Sequence, residues 1–314
     1  MAQIYDLLAR MGRDEAKRAA PELARLIDIA ADLLAEESET PAYVYSGFCL
    51  TALPHRALPA DQDWERVAMS GRLRLRISPG KLTIAGKTHL YPVPCGAYGR
   101  LILLYLQTQA VKTGSPNVEL GGSMHEWLGR MGVTAGGRTY KDIREQILRI
   151  MSCNLTFTWD TPGKGSHFER DSIIRGGFLP FYDTRDMRQG QGQLFSEQVT
   201  LSESFFSAIV SHPVPLLEAA IRQLSGNSLA LDIYVWLAYR LHNIKAPTPI
   251  TWQSVFLQFG GGYSEKSFRM FRKNFRDSIA LALTVYPEAR VDDNGIEGIT
   301  LLPSRPPIAY KAKS

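Results

Sequence analysis

Residues 264–276 read SEKSFRMFRKNFR, a stretch with five basic residues and one acidic residue. Phe268, Phe271 and Phe275 recur at steps of three and four, which predicts a helix with one buried face. Positively charged side chains then cover the rest of the helix and are candidates for DNA contact. These candidates are Lys266, Arg269, Lys273 and Arg276 on the side opposite the phenylalanines, with Arg272 between.

This basic helix belongs to a pattern that occurs twice. In the later copy, helical patterns at residues 229–239 and 251–259 precede the basic helix at 264–285, and short strands are predicted at 289–292 and 296–302. In the earlier copy, the apolar helix is at 101–106, a short helix carries Trp127 and Leu128, and strands are predicted at 155–159 and 168–174. The inward positions of the earlier basic helix are Tyr140, Ile143, Ile147 and Met151, which lie 128 positions before Phe268, Phe271, Phe275 and Ile279.

Two helices, a basic helix and a β-hairpin, in this order, are typical of a winged helix-turn-helix, whose third helix enters the DNA major groove. We therefore expect an α+β, mainly helical fold with two tandem winged-helix domains. The expected divisions are a helical N-terminal arm at 1–40, a first winged-helix domain with a leading β-hairpin at 41–193, and a second with a basic tail at 194–314. The arm is amphipathic, which is consistent with packing on its own domain or with dimerisation.

The earlier copy offers further candidates for DNA contact. The N-terminal half of a recognition helix reaches base edges, where arginine can bind guanine and glutamate can accept from cytosine. The candidates on this helix are Arg138, Lys141, Arg144, Glu145 and Arg149. Lys164 lies at the tip of the following hairpin and could contact phosphate or the minor groove.

Another basic row lies on a predicted strand at residues 71–77. Arg72, Arg74 and Arg76 alternate with apolar residues, so all three share one face of the strand. The row could be a solvated face or a row of phosphate contacts. A turn at Pro79 and Gly80 is predicted to send the chain back as a return strand at 81–84. The second hairpin, in contrast, has an acidic turn at 292–295, which we expect to face away from DNA or towards a protein.

The distribution of charge and the lack of catalytic motifs indicate which classes of protein this chain can belong to. Residues 1–40 contain five basic and nine acidic residues, whereas the whole chain has a net charge of +5, so the remainder is strongly basic. No membrane span, secretory signal, cofactor or metal is expected, and Cys49, Cys95 and Cys153 are expected to be buried thiols. Phosphate-loop, zinc-protease and serine-hydrolase motifs are lacking, which favours a protein that is not an enzyme.

Several segments resemble one family. The segments are LPHR at 53–56, LILLYLQTQAV at 101–111, SLALDIYVWLAYR at 228–240, QFGGGY at 258–263 and VYPEAR at 285–290. In this order they resemble the RepA-type plasmid replication initiators. The resemblance implies binding to repeated origin sequences in double-stranded DNA through two winged-helix domains, followed by melting of an adjacent AT-rich stretch. It also implies a bacterial cytoplasmic protein whose partners are the host replicative helicase, the host initiator and a second copy in a homodimer.

Two other functions are weighed against the initiator. A winged-helix transcriptional regulator would bind an operator without opening the duplex. An enzyme, such as a nicking endonuclease or an ATPase, is disfavoured by the lack of metal and phosphate motifs. Direct repeats in the bound DNA would favour the initiator, and a single palindrome would favour the repressor.

Overall fold

The computed structural model describes residues 2–36, 39–68, 71–84, 86–120, 122–133, 136–161, 165–178, 198–293 and 295–308. The chain forms two compact units. The terminal unit contains Met1–Ala42 together with Val214–Ser314, and the central unit contains Tyr43–Pro213. Within the described residues, no helix is long and apolar enough to cross a membrane.

The helices of the described chain are α1 (Ala2–Ala19), α2 (Ala24–Leu34), α3 (Ser46–Leu50), α4 (Gly96–Thr113), α5 (Gly122–Arg130), α6 (Gly137–Ser152), α7 (Glu203–Ser211), α8 (Glu218–Leu224), α9 (Ser228–Arg240), α10 (Trp252–Phe259) and α11 (Phe268–Thr284). The strands are β1 (Pro41–Tyr45), β2 (Trp64–Ala68), β3 (Leu73–Ser78), β4 (Gly80–Ile84), β5 (Lys87–Tyr91), β6 (Asn117–Glu119), β7 (Asn154–Thr161), β8 (Gly165–Ser172), β9 (Ile174–Phe178), β10 (Gln198–Leu201), β11 (Pro213–Leu217), β12 (Thr248–Thr251), β13 (Arg290–Asp292) and β14 (Gly298–Leu302). The fold is therefore a mixture of helices with small antiparallel sheets.

The order of helices expected from the repeated pattern is confirmed. Helices α4, α5 and α6 of the central unit have the same order as α9, α10 and α11 of the terminal unit. Of the predicted inward positions, Ile143, Ile147, Phe271, Phe275 and Ile279 are buried, whereas Tyr140, Met151 and Phe268 are half-buried. Helical periodicity is a local property of the chain, which is why it is readable from sequence.

The terminal unit has an aromatic core beneath α11. Phe275 packs against Trp252 of α10 and against Phe259, with ring centroids 5.9 Å and 5.5 Å apart, respectively. Thr251 caps α10, since its hydroxyl accepts from the Ser254 amide. The strand β12 lies between α9 and α10 in sequence and pairs with β14, which pairs in turn with β13. This sheet places the β13–β14 hairpin beside the helices.

The N-terminal helices belong to the terminal unit. The core of α1 and α2 contains Ile4, Ala16 and Ile27, and the Tyr5 hydroxyl donates to the Thr284 carbonyl of α11 at 2.6 Å. This grouping differs from the expected division into an arm at 1–40 and a domain beginning at 194. The difference arises because the contacts that join α2 and α11 link segments far apart in sequence.

The central unit is built around α4, in which residues 101–106 are all buried. Tyr105 of α4 packs on Trp127 of α5, with ring centroids 5.7 Å apart. Its largest sheet has the order β2-β3-β7-β8. A second sheet has the order β6-β10-β9, so β6 does not pair with the β7–β8 hairpin in the way that β12 pairs with β14.

The predicted return strand after β3 is wrong. Strand β3 pairs with β2 and β7, whereas β4 pairs with β5 in a separate hairpin. The chain does not reverse at Gly80, which lies directly against the end of α6. A Cβ atom at Gly80 would stand 1.7 Å from the Ser152 carbonyl oxygen, so this close approach requires glycine.

Candidate nucleic-acid interface

One face of α11 is basic and exposed. Arg269 and Lys273 of α11 are exposed, as is Lys266 in the 3-10 turn Glu265–Ser267 that leads into α11, whereas Phe271 and Phe275 on the opposite side are buried. We call these three residues the basic face of α11. The separation follows from the sequence, since the phenylalanines at helical spacing fill the core and leave the intervening cations outside. Such a row of cations on one helix can bind a polyanion.

Arg272 and Arg276 have a different environment from the basic face. Both guanidinium groups lie over the indole ring of Trp252, each with its Cζ 4.9 Å from the ring centroid. Arg272 also donates to the Ile296 carbonyl, and Arg276 donates to the Gly295 carbonyl, both at 3.3 Å. The predicted outward position of Arg276 is therefore wrong, because it is half-buried and holds the β13–β14 turn.

Trp252 joins these contacts together. Its ring receives the two arginines, and its Nε1 donates to the Gly295 carbonyl at 3.2 Å. The turn of the hairpin is thus held by three donors from α10 and α11. The side chain of Ile296, next in the chain, is 86% exposed. The turn also carries exposed acids at Asp292 and Glu297, which disfavour contact with phosphate.

The face of α6 is less uniformly basic. Arg138 and Lys141 are exposed near its N-terminus, and Arg144 is half-buried. Glu145 accepts from Arg149 at 3.1 Å, so its carboxylate already has a cationic partner. A glutamate in such a pair is less available to a cytosine amine.

The predicted outward position of Arg149 is wrong. Its side chain is only 12% exposed. Its Nη1 lies 3.4 Å from both the Val93 carbonyl oxygen and the Cys95 sulfur. Arg149 therefore ties α6 to the segment that precedes α4. Lys164, the candidate at the tip of the β7–β8 hairpin, lies outside the described residues.

Helices α5 and α6 share an aromatic contact that the sequence did not indicate. The rings of His125 and Tyr140 are stacked, with centroids 5.8 Å apart and planes 10° apart. The Tyr140 hydroxyl lies 3.3 Å from His125 Nδ1. Tyr140 was expected to point into the core, but it is half-buried and contacts α5 through His125.

The arginines of β3 are alternately placed, as expected, but two of them are paired with acids. Arg74 pairs with Glu65, and Arg76 pairs with Asp63 through two nitrogens. The hydrogen bond from Arg76 lowers the pKa of Asp63 below its ordinary value. These pairs offset the charges of Arg74 and Arg76, and Arg72, which directly precedes β3, is also exposed.

A buried arginine organises the LPHR segment. Arg100 of α4 donates to the carbonyls of Leu53 at 2.6 Å, Pro54 at 3.2 Å and Gly96 at 2.8 Å. Its Nη2 also lies 3.3 Å from Nδ1 of His55. Because an arginine can only donate, Nδ1 accepts and the neutral imidazole carries its proton on Nε2. Burial, with the charges of Arg100, Arg66 and Arg56, lowers the pKa of His55 to about 3.

The cysteines are buried thiols, as predicted. Cys49, Cys95 and Cys153 are all free and buried. Burial raises the pKa of Cys49 well above its ordinary value and that of Cys153 to about 12. Both thiols are therefore protonated at neutral pH and unsuited to nucleophilic attack.

Comparison with known proteins gives one family. No curated protein matches the chain. A crystal structure of selenomethionine derivatives of domains 2 and 3 of RctB matches with 13% identity, a TM-score of 0.47, and coverage of 74% of this chain and 85% of that one. A second crystal structure of RctB domains 2–3 matches with 11% identity, a TM-score of 0.43, and coverage of 73% and 81%, respectively. At these TM-scores the likeness carries nothing about the function of this chain. The family model of the plasmid-encoded RepA protein matches residues 93–254, about half of the chain, and the chain belongs to that family.

Proposed function

We propose that this chain is a plasmid replication initiator that binds repeated origin sites in double-stranded DNA and has no covalent chemistry of its own. The observation that carries the proposal is the basic face of α11, where Lys266, Arg269 and Lys273 are exposed opposite a buried aromatic stripe. Membership of the plasmid-encoded RepA family supports replication as the process that this binding serves.

In this proposal the terminal unit binds as a winged helix. The order α9, β12, α10, α11, β13, β14 and the pairing of β12 with β14 support that arrangement. Helix α11 enters the major groove, and its cations contact phosphates and base edges. Arg272 and Arg276 act indirectly, by holding the hairpin against α10 and α11.

The central unit contributes α6 in the same way. Arg138 and Lys141 are the side chains best exposed for DNA contact, and Arg144 stands beside them. Opening of an AT-rich stretch, recruitment of the host helicase and host initiator, and formation of a homodimer are further parts of the proposal. These parts rest on the family alone.

The first test is a footprint of the purified full chain on the DNA of its own plasmid, in about 0.15 M salt with random DNA as competitor. Protection of several direct repeats beside an AT-rich stretch is the expected result. Protection of one palindrome near a promoter would identify a transcriptional regulator instead. Absence of selective protection, or turnover on addition of ATP or Mg²⁺ to the protein and DNA, would overturn the proposal.

A further inference from the structure

One apolar side chain interrupts the basic face of α11. Met270 is the third residue of the helix, and its side chain is 56% exposed. The core beneath α11 is already filled by Phe271 and Phe275, which are both fully buried. A large apolar group exposed on a charged helix gains nothing from burial in the free protein, so the core does not account for Met270.

The neighbours of Met270 on the helix surface are polar. Residues three or four positions away on a helix are adjacent on its surface, and for Met270 within α11 these are Lys273 and Asn274, while Lys266 and Ser267 lie in the 3-10 turn just before the helix. Arg269 precedes it in the chain. An apolar group beside several cations matches a binding partner whose surface is mostly anionic and carries a small apolar group. A protein partner would more often be met by a larger apolar patch.

The DNA major groove is such a surface. Its edges are lined with phosphates, and each thymine projects a C5-methyl group into it. No other base of unmodified DNA presents a methyl group there. The N-terminal residues of a recognition helix are the ones that reach base edges, and Met270 lies in the first turn of α11.

We propose that Met270 recognises a pyrimidine C5-methyl group, which is that of thymine in unmodified DNA, at one position of the bound site. Lys266, Arg269 and Lys273 bring the helix to the phosphates, and the flexible thioether packs on the methyl group. This inference rests on the proposed function and adds to it a residue that determines specificity at a base pair.

The test uses a duplex of about 30 base pairs that the full chain selects from a random pool. Each thymine is replaced in turn by deoxyuridine, which removes only the methyl group. For the native protein, we expect one replacement to weaken binding about fourfold, the factor that corresponds to about 0.8 kcal/mol for one buried carbon. For Met270→Ala, the same replacement should leave binding unchanged, because the partner of the methyl group is gone.

Two control variants make the result specific. Met270→Leu retains an apolar side chain and should keep most of the dependence on the methyl group. Leu257→Ala removes a leucine of α10 that is 59% exposed. This variant should keep the full dependence of binding on the methyl group. A duplex with 5-methylcytosine at the sensitive position, paired with guanine, tests the methyl group separately from the rest of the base. Compared with unmethylated cytosine at that position, we expect 5-methylcytosine to restore the affinity that depends on the methyl group.

The contrary outcomes are distinct. If Met270→Ala keeps the native sensitivity to every deoxyuridine, the inference about Met270 is overturned while the DNA-binding proposal stands. If no duplex is selected over random DNA, both are overturned. Since Met270 is exposed, its variants should have the same unfolding temperature as the native protein. A large fall in the unfolding temperature would show a structural role for Met270 instead.

Discussion

The guanidinium group of Arg276 lies over the indole ring of Trp252, with its Cζ 4.9 Å from the ring centroid, and donates to the Gly295 carbonyl. This arginine therefore connects α11 to α10 and to the turn of the β13–β14 hairpin. Its position separates two sets of cations that look alike in sequence. Arg272 and Arg276 hold the structure together, whereas Lys266, Arg269 and Lys273 remain available to a ligand.

Replacement of Arg276 by alanine should destabilise the protein. The variant loses a partly exposed cation–π contact and a hydrogen bond from a charged donor, together about 1–2 kcal/mol of unfolding free energy. Urea unfolding measures the change. Arg269→Ala is the matched control and should stay within about 0.5 kcal/mol of the native protein, since its side chain is exposed. Equal stabilities of the two variants would contradict the structural assignment of Arg276.

Replacement of Arg269 or Lys273 by alanine should weaken DNA binding and reduce its salt dependence. Each phosphate contact that is lost should lower the slope of log K against log salt by about 0.9, the value for one counterion on B-DNA. A loss of binding preference at one base pair only would instead indicate that the side chain recognises a base. Fluorescence anisotropy at several salt concentrations gives both quantities. Arg10→Ala, an exposed arginine on α1, is the control, and equal slopes for all three variants would remove α11 from the interface.

Replacement of Arg100 by methionine should destabilise the central unit. The substitution removes the Arg100 donor from the buried Leu53 carbonyl, which costs about 1–3 kcal/mol for one such group, whereas the Pro54 carbonyl keeps its bond from the Gly96 amide. Arg100→Lys should also be destabilised, because one ammonium group cannot reach the same set of acceptors. Chemical denaturation tests this, with Lys141→Met as an exposed control in the same unit. Native stability of Arg100→Met would show that water satisfies the Leu53 carbonyl in its place.

His55 should make stability depend on pH. Its folded pKa of about 3 lies below the ordinary value of 6.5, so the unfolded chain binds the proton first as the pH falls. The stabilisation is fully present above pH 6.5 and is lost towards pH 3, with a slope of at most about 1.4 kcal/mol per pH unit for one proton.

The His55→Asn variant isolates this contribution, since an asparagine oxygen can still accept from Arg100. Between pH 6.5 and pH 4, its stability should fall less steeply than that of the native protein. His89→Asn, which changes an exposed histidine on β5, should retain the native slope. A His55 imidazole that titrates near pH 6.5 by NMR would contradict the buried, neutral state.

Tyr5 should stabilise the terminal unit through its contact with α11. The Tyr5→Phe substitution removes the hydrogen bond to the Thr284 carbonyl and should cost about 1 kcal/mol of unfolding free energy. Deletion of α1 and α2 should destabilise the unit much more, because it exposes the apolar surfaces that these helices cover. Thermal unfolding of both proteins measures the effects. A deletion variant with native stability would support a separate arm instead.

Local patterns along the chain predicted the helices and most of their buried positions. Phe271, Phe275, Ile143 and Ile147 point inward because residues three or four apart share one side of a helix whatever surrounds it. The family, too, was recognisable from short segments in order. These features depend on neighbours along the chain and therefore need no knowledge of distant contacts.

The pairing of the strands and the exposure of the cations depend on contacts that form only in the folded chain. Strand β3 pairs with β7, about 80 residues later, rather than with the adjacent β4. Arg149 turns inward to the Val93 carbonyl, 56 positions away, and Arg276 turns to Gly295. A long flexible side chain on a helix flank can point to solvent or to a distant acceptor. The choice depends on whether folding brings an unsatisfied carbonyl or an aromatic ring within reach, and periodicity carries no information about that.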